Sequence, residues 1–306
     1  MKILVATEKA FAPAAVEQIR EVSMAGGHEL VLLENYKGAE ELIAAVSDAD
    51  ALIVRSDLIT REILVAAEKL RIVVRAGAGY DNIDLETCTA RGIVAMNTPG
   101  QNSNAVAELV FGLMLYHARG GFNGKTGNEL RGNTLGIHAF GNVGKYVAAI
   151  ARGLGMITYA FDPFVHDNVI VSSGVKVCRS AEELYSRCRY VTLHMPANSS
   201  TMKSIGYDLL FRMPPHAVLV NSARKEIINE EDLLRVFNDR HDFSYLADVE
   251  PDCKATFEDK YKGRFFFTPK KMGAQTEEAN INAGIAAARQ IVDYFKTGNE
   301  KFRVNK

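Results

Sequence analysis

Short apolar runs rich in β-branched residues alternate with stretches whose apolar positions recur every three or four residues. KILVAT, HELVLLE, ALIVRS, RIVVRA and IVAMNT are the runs of the first third. Between several of them lie helical patterns at 14–25, 39–46 and 60–67. Such alternation predicts a parallel sheet covered by helices. NTPGQNSN, at 97–104, interrupts it with Pro, Gly and Asn, and a long apolar-striped helix is expected over 105–119. A polar stretch, GGFNGKTGNELRGN, leads into a second series: TLGIHA, MITYAFD, RYVTLHM, AVLVNSA, SYLADV and RFFFTP. Their spacing fits a doubly wound sheet of about six strands. A last helix is expected over 277–295, with acidic residues in its first turn and Gly298 just beyond its end.

At 306 residues the chain is long enough for two domains. A formal net charge of -1 provides no basic field for nucleic acid, and no nucleic-acid partner is expected. The longest apolar run, 106–117, contains Glu108 and is too short to span a bilayer, so no membrane partner is expected. The start, MKILVATEKA, reads as a first strand and not a leader. Cys88, Cys178, Cys188 and Cys253 are scattered, which suits neither a zinc site nor a disulfide framework. No metal is expected. Idle thiols in a reducing cytoplasm are the expectation.

The first chemistry-bearing unit is LGIHAFGNVGKYVAAIARGLGMITYAFD, at 135–162. A strand enters a turn carrying Gly141 and Gly144, and a helix starts near Asn142. The missing side chain at Gly141 lets a pyrophosphate approach, and the helix start offers free N–H groups with partial positive charge. The next strand ends at Asp162, about 20 residues on, where a carboxylate can accept both ribose hydroxyls of NAD and repel the extra phosphate of NADP. The first glycine position of the GxGxxG fingerprint is Ala139.

Four further segments surround this unit: RAGAGYDNID (75–84), NTPGQNSNAVAE (97–108), NSARKEIINEEDLL (221–234) and TPKKMGAQTEEA (268–279). Together they resemble the D-2-hydroxyacid dehydrogenase family across essentially the whole chain. The resemblance implies a doubly wound (Rossmann) cofactor domain, residues 99–282, inserted into a flavodoxin-like α/β substrate domain, residues 1–98 plus 283–306. It also implies NAD as cofactor, a homodimer formed through the cofactor domain, and an active site between the domains. Arg224 matches the arginine that binds the substrate carboxylate and polarises the keto oxygen, a task that suits a planar two-pronged cation. Asp248 matches the carboxylate facing the nicotinamide amide. Ala78, Gly141, Asn142, Val143, Pro196, Ala223 and Gly273 fall at cofactor-contacting positions, Asn142 and Val143 through their N–H groups and Pro196 on the adenosine side.

The chain departs from the family at the proton donor. A histidine is expected two residues before Gly-Ala, and KKMGA puts Lys271 there. His138 and His194 read as structural groups on cofactor-domain strands. Lysine can donate a proton on reduction. On oxidation it must accept one, so its pKa must fall from about 10.4, as desolvation and the positive charge of Arg224 would arrange. The family's supporting glutamate is displaced: Glu250 stands only two residues after Asp248. A carboxylate beside the lysine would raise its pKa, so Lys271 is expected to act without Glu250. Lys270 is the competing lysine, one residue away. Arg55 and Arg75 follow first-domain strands, and with Arg224 they suit a small phosphorylated hydroxy or keto acid, their alternative being ion pairs with Asp57 or Asp81. The expected reaction is NAD-dependent oxidation of 3-phosphoglycerate to 3-phosphohydroxypyruvate in serine synthesis. Glyoxylate or hydroxypyruvate reduction is the nearer alternative, and a non-enzymatic NAD-sensing protein the more distant one.

Overall fold

The computed structural model describes residues 1–305, which divide into two compact units. The first is residues 1–102 with the segment from Gln275 onward, and the second is Ser103–Ala274. The first unit contains β1 (Lys2–Thr7), α1 (Pro13–Ala25), β2 (Glu29–Glu34), α2 (Ala39–Val46), β3 (Ala51–Val54), α3 (Arg61–Ala66), β4 (Ile72–Arg75), α4 (Leu85–Ala90) and β5 (Val94–Asn97). The second contains α5 (Ser103–Ala118), β6 (Thr134–His138), α6 (Asn142–Gly153), β7 (Ile157–Phe161), α7 (Asp167–Ser172), β8 (Lys176–Val177), α8 (Ala181–Arg187), β9 (Tyr190–Leu193), α9 (Tyr207–Phe211), β10 (Val218–Asn221), α10 (Glu230–Asp239), β11 (Ser244–Ala247), α11 (Lys254–Lys260) and β12 (Phe265–Phe267). The chain then returns to the first unit as α12 (Glu277–Thr297).

The first unit's sheet runs β2-β1-β3-β4-β5, all parallel, the flavodoxin-like order. Its central strands are continuous apolar runs because helices cover both faces. Ile3, Val5, Ile53 and Val74 point to one face, with Ile19 of α1 and Ala287 and Ile291 of α12. Leu4, Leu52 and Val73, one residue out of phase, meet Leu42, Val46 and Ile63 on the other. This packing fixes the second crossing. Helix α12 lays small residues against α1, where a Cβ at Gly284 would lie 2.7 Å from Ile19. The whole helix therefore belongs to the first unit, and the division falls at 102/103 and 274/275 instead of the expected 98/99 and 282/283. Thr276 caps α12 by accepting from the Ala279 N–H, and Gly298, at φ 73, ends it two residues beyond the expected stop.

The second unit's sheet runs β12-β11-β10-β9-β6-β7-β8, also parallel. It has seven strands, one more than expected. The extra one, β8, is two residues long, too short to leave an alternation in the sequence. The order reverses between β6 and β9, which pair through Gly136↔Val191 and His138↔Leu193. At such a switch point the connections leave on opposite faces and open a crevice above the carboxyl ends. Val110, Phe111 and Met114 of α5 pack into one layer beneath it with Val147 of α6, and Leu233, Phe237 and Phe257 fill the other.

All four cysteines are free thiols. Burial pushes Cys88, Cys188 and Cys253 up to about 12 and Cys178 to about 11, so none is a thiolate near neutrality. Among the described residues no helix is long and apolar enough to cross a membrane, and no His, Cys, Asp and Glu cluster could hold a metal.

Candidate active site

The turn after β6 has the geometry that a dinucleotide fingerprint requires, with one departure in residue type. Ala139, in the first glycine slot, has φ 77, in the left-handed region that favours glycine. Gly144 is demanded by the fold itself: a Cβ there would lie 2.6 Å from the Ala139 carbonyl oxygen. Gly141 is different. The chain places nothing within 4 Å of a Cβ there, so the approach to the turn is open at this point. Helix α6 begins without a side-chain cap, which leaves the Asn142 and Val143 N–H groups directed out of the turn.

Asp162, at the end of β7, accepts from the Phe140 N–H at 2.7 Å and the Phe164 N–H at 2.8 Å. The carboxylate thus braces the turn from the adjacent strand. It also borders a cleft of about 630 Å³ that Phe164, His166 and Arg179 help to line. Pro196 is not among the cleft's lining residues; its carbonyl accepts from the Thr201 hydroxyl.

Two histidines sit at the switch point. The His138 ring bonds Tyr185, and the His194 ring bonds Thr192 and Ser222. Burial lowers His138 from 6.5 to about 4 against the opposing pull of Asp162, and lowers His194 to about 3 with help from His138. Both are neutral near pH 7 and serve as hydrogen-bonding groups of the strand ends.

The ends of β10 to β12 hold the cationic residues. Asn221, fully buried, accepts from the Ala223 N–H and donates to the Arg224 carbonyl, closing a clamp around the loop. The Ala223 carbonyl oxygen faces two cations: Arg224 Nη1 at 3.1 Å and Lys271 Nζ at 3.4 Å. Asp248 is also fully buried. Its Oδ1 accepts from the Thr268 hydroxyl at 3.0 Å and the Met272 N–H at 2.7 Å, and its Oδ2 from the Gly273 N–H at 2.8 Å. Three protein donors thus fix the orientation of the Asp248 carboxylate. Gly273 lies against this carboxylate with its N–H, not against open space. Glu250 accepts from Lys254 at 2.6 Å, a partner other than Lys271.

The first unit places its arginines less openly than their strand-end positions suggest. Arg55 donates to the Lys9 and Ala10 carbonyls and, at 2.7 Å, to Asn280 of α12, while stacking on Phe11. These bonds tie its guanidinium to other groups of its own unit. The pairing with Asp57 runs through the Arg55 backbone N–H; the buried Asp57 side chain also accepts from the Glu8 N–H and the Tyr36 hydroxyl. Arg75 donates from Nε to the Arg55 carbonyl and folds over Gly77, where a Cβ would lie 1.5 Å from its Nη1. Ala78 is exposed, and its carbonyl accepts from Asn97 at 2.6 Å.

Asn221, Thr268 and Lys254 escaped the reading of the sequence. Asn221 did leave a signal, a polar residue closing the apolar run AVLV. Lys254 stands four residues after its partner Glu250, a spacing present in the sequence, whereas Thr268 acts through Asp248, 20 residues back along the chain.

A family model described as D-isomer specific 2-hydroxyacid dehydrogenase, catalytic domain, matches residues 3–305. A D-3-phosphoglycerate dehydrogenase of Methanocaldococcus jannaschii is 36% identical over 295 residues, covering 90% of this chain and 54% of the relative. The Homo sapiens protein of that name is 35% identical over 294 residues, with the same coverage. The chain thus spans about half the length of the curated relatives it matches. A crystal structure of NAD+-bound 3-phosphoglycerate dehydrogenase from Entamoeba histolytica is 50% identical, covers 100% of this chain and 99% of that one, and superposes with a TM-score of 0.89.

Proposed function

We propose that this chain, which belongs to the D-isomer specific 2-hydroxyacid dehydrogenase family, oxidises 3-phosphoglycerate to 3-phosphohydroxypyruvate with NAD as hydride acceptor and runs the reverse reduction. The observation that carries the reading is the meeting of Arg224 and Lys271 at one carbonyl oxygen, that of Ala223. Two cations held together attract an anionic acid and leave one to orient it and the other to move a proton. The similar proteins named for phosphoglycerate support the choice of substrate.

The residues fit the cofactor. Gly141 leaves an open approach, α6 offers uncapped N–H groups, and Asp162 stands at the end of the next strand. Asn142 and Val143 are assigned to the pyrophosphate, Asp162 to the ribose hydroxyls, and Ala78, Ala223 and Pro196 to contacts along the dinucleotide. Bound nicotinamide supplies or takes up the hydride. Arg224 holds the carboxylate and draws charge onto the keto oxygen. Lys271 gives its proton to that oxygen on reduction and takes it back on oxidation. Arg75 is assigned to the phosphate. A homodimer belongs to the same reading: Leu115 of α5 and Phe122 are exposed apolar groups of the second unit suited to a partner copy. The cytoplasm, where free thiols persist, is its proposed compartment.

The test follows NADH absorbance while phosphohydroxypyruvate, hydroxypyruvate and glyoxylate are added in turn, with wild type and Lys271→Ala. The phosphorylated acid should give the fastest decay. The variant should lose roughly 10²- to 10⁴-fold in kcat, the range for removal of a general acid–base group, while still binding NADH. Near-normal turnover in the variant would reject Lys271, and no decay with any acid would reject the reaction.

A further inference from the structure

We infer that Asp248 is a positioning residue that fixes the register of the 268–273 segment and thereby selects Lys271, not Lys270, as the lysine that carries the proton. The inference rests on the proposed role of Lys271. The sequence offers two adjacent lysines, and a slip of one residue would exchange them. The structure contains a device that forbids the slip. The two N–H groups immediately after Lys271, those of Met272 and Gly273, end on the two oxygens of a single buried carboxylate. The hydroxyl of Thr268, on the other side of the lysine pair, ends on that carboxylate too. The Thr268 N–H donates to the Ala247 carbonyl, so the start of the segment is tied to β11 as well.

Glycine makes the register unique. A Cβ at position 273 would lie 2.9 Å from Asp248 Oδ2 and 3.3 Å from Val106. A one-residue slip would bring Met272 or Ala274 to that place, each with a side chain that does not fit. Only the observed register puts glycine against the carboxylate, and it carries Lys271 Nζ to the Ala223 carbonyl beside Arg224. Burial strengthens the device. A desolvated carboxylate holds its donors tightly, and releasing any of them leaves an unmet charge. Asp248 is itself fixed, its N–H donating to the Asn221 carbonyl, so one pair of neighbouring strand ends anchors both Arg224 and Lys271.

The experiment compares wild type, Asp248→Asn and the milder Thr268→Val, each with and without Lys270→Ala. The asparagine keeps the shape but turns an NH2 toward one of the three donors. The valine removes only the hydroxyl bond and leaves the fold intact. In the reductive assay Asp248→Asn should lose on the order of 100-fold in kcat, the scale expected for a group misplaced by about 1 Å. Its NADH affinity by fluorescence should stay within about twofold. Lys270→Ala should be silent in wild type and lower kcat further in both loosened backgrounds, because the freed segment then presents either lysine. Thr268→Val should move the same way by less. A large loss of NADH affinity with kcat intact would overturn the inference in favour of a direct cofactor contact. Silence of Lys270→Ala in every background, with an unchanged pH profile of kcat, would also overturn it. Retained turnover in Lys271→Ala alone is a separate result that rejects the acid–base reading.

Discussion

At the ends of β3 and β4 the arginines turn back into their own unit. Arg55 spans from the β1–α1 loop to α12, and Arg75 lies over Gly77 with its Nε on the Arg55 carbonyl. At the ends of β10 to β12 the arrangement is layered instead. Buried Asn221 and Asp248 take up the backbone hydrogen bonds, and Arg224 and Lys271 are carried above them. A basic residue near the end of a parallel strand thus serves support at Arg55 and presentation at Arg224 and Lys271. Each sheet end has a buried polar residue that takes up backbone hydrogen bonds, Asp57 in the first unit and Asn221 and Asp248 in the second. What separates them is that the Arg55 guanidinium bonds two carbonyls and Asn280 of its own unit.

The sharpest way to break this comparison is to remove Arg224. Arg224→Gln keeps a polar side chain with a hydrogen-bond donor but is shorter and loses the charge and the two-pronged geometry. Its kcat/KM for the keto acid should fall by about 10²- to 10³-fold, the scale for removing a preorganised electrophilic donor. The melting temperature should hold, because Asn221 carries the loop. If the variant instead melts early and keeps its rate, Arg224 supports the loop and the contrast with Arg55 disappears.

Arg55→Ala tests the other side. It removes bonds to two carbonyls and an asparagine and a stacked contact with Phe11. The expected cost is about 2 kcal/mol of stability, within the range for hydrogen bonds from a charged group. KM should rise to the same degree for phosphohydroxypyruvate and for glyoxylate, since the effect runs through the shape of the unit. A rise confined to the phosphorylated acid would show Arg55 reading the phosphate, and would make the two sheet ends alike.

These contrasts mark how far the sequence carries the reading. Alternation of apolar runs gave both sheets, and the inserted order followed from the resemblance, because strand burial and helix spacing are local properties. The two-residue β8 and the true start of the return segment were not legible, since one is shorter than any period and the other depends on how α12 packs against α1. At the site, Arg224 and Lys271 were legible as types in a motif. The bond of Arg55 to Asn280 and the enclosure of Asp248 were not, because each depends on a partner brought in by the fold. Lys254 and Glu250 are the instructive pair. Four residues apart on the chain, they meet at the start of α11, a short-range signal available in the sequence but read only as a shortened segment.

The histidine pair extends the comparison to acid stability. His138 and His194, neutral and buried at the second sheet's switch point, have folded values of about 4 and about 3 against an ordinary 6.5. For such groups the unfolded chain binds more protons in acid, so their contribution is fully present above about pH 6.5. It is lost progressively as pH falls through 4. Thermal melts between pH 7 and 4 should show the second unit losing stability on acidification, with His138→Gln flattening that dependence. A slope unchanged by the substitution would assign the acid sensitivity to carboxylates instead.

The smallest expected effect is at Ala139. Its φ of 77 costs a non-glycine residue about 1 kcal/mol, and nothing in the chain's hydrogen bonding requires a methyl there. The turn holds this conformation because its neighbours over-determine it. The Ala139 N–H donates to the Phe161 carbonyl, the Phe140 N–H to Asp162, and Gly144 packs against the Ala139 carbonyl oxygen. Ala139→Gly should therefore raise the melting temperature of the cofactor-free protein by at most about 2 °C, since about 1 kcal/mol of relieved strain is offset by roughly 0.4–1 kcal/mol of added flexibility in the unfolded chain. NADH affinity should change little, since the turn already has the shape that glycine would adopt. A drop in stability would mean that the Ala139 methyl contributes more through its packing against the second unit's core than it loses in strain. The dinucleotide turn would then be supported from within, as Arg55 supports the first unit, and the division between supporting and presenting strand ends would have to be drawn inside the second sheet.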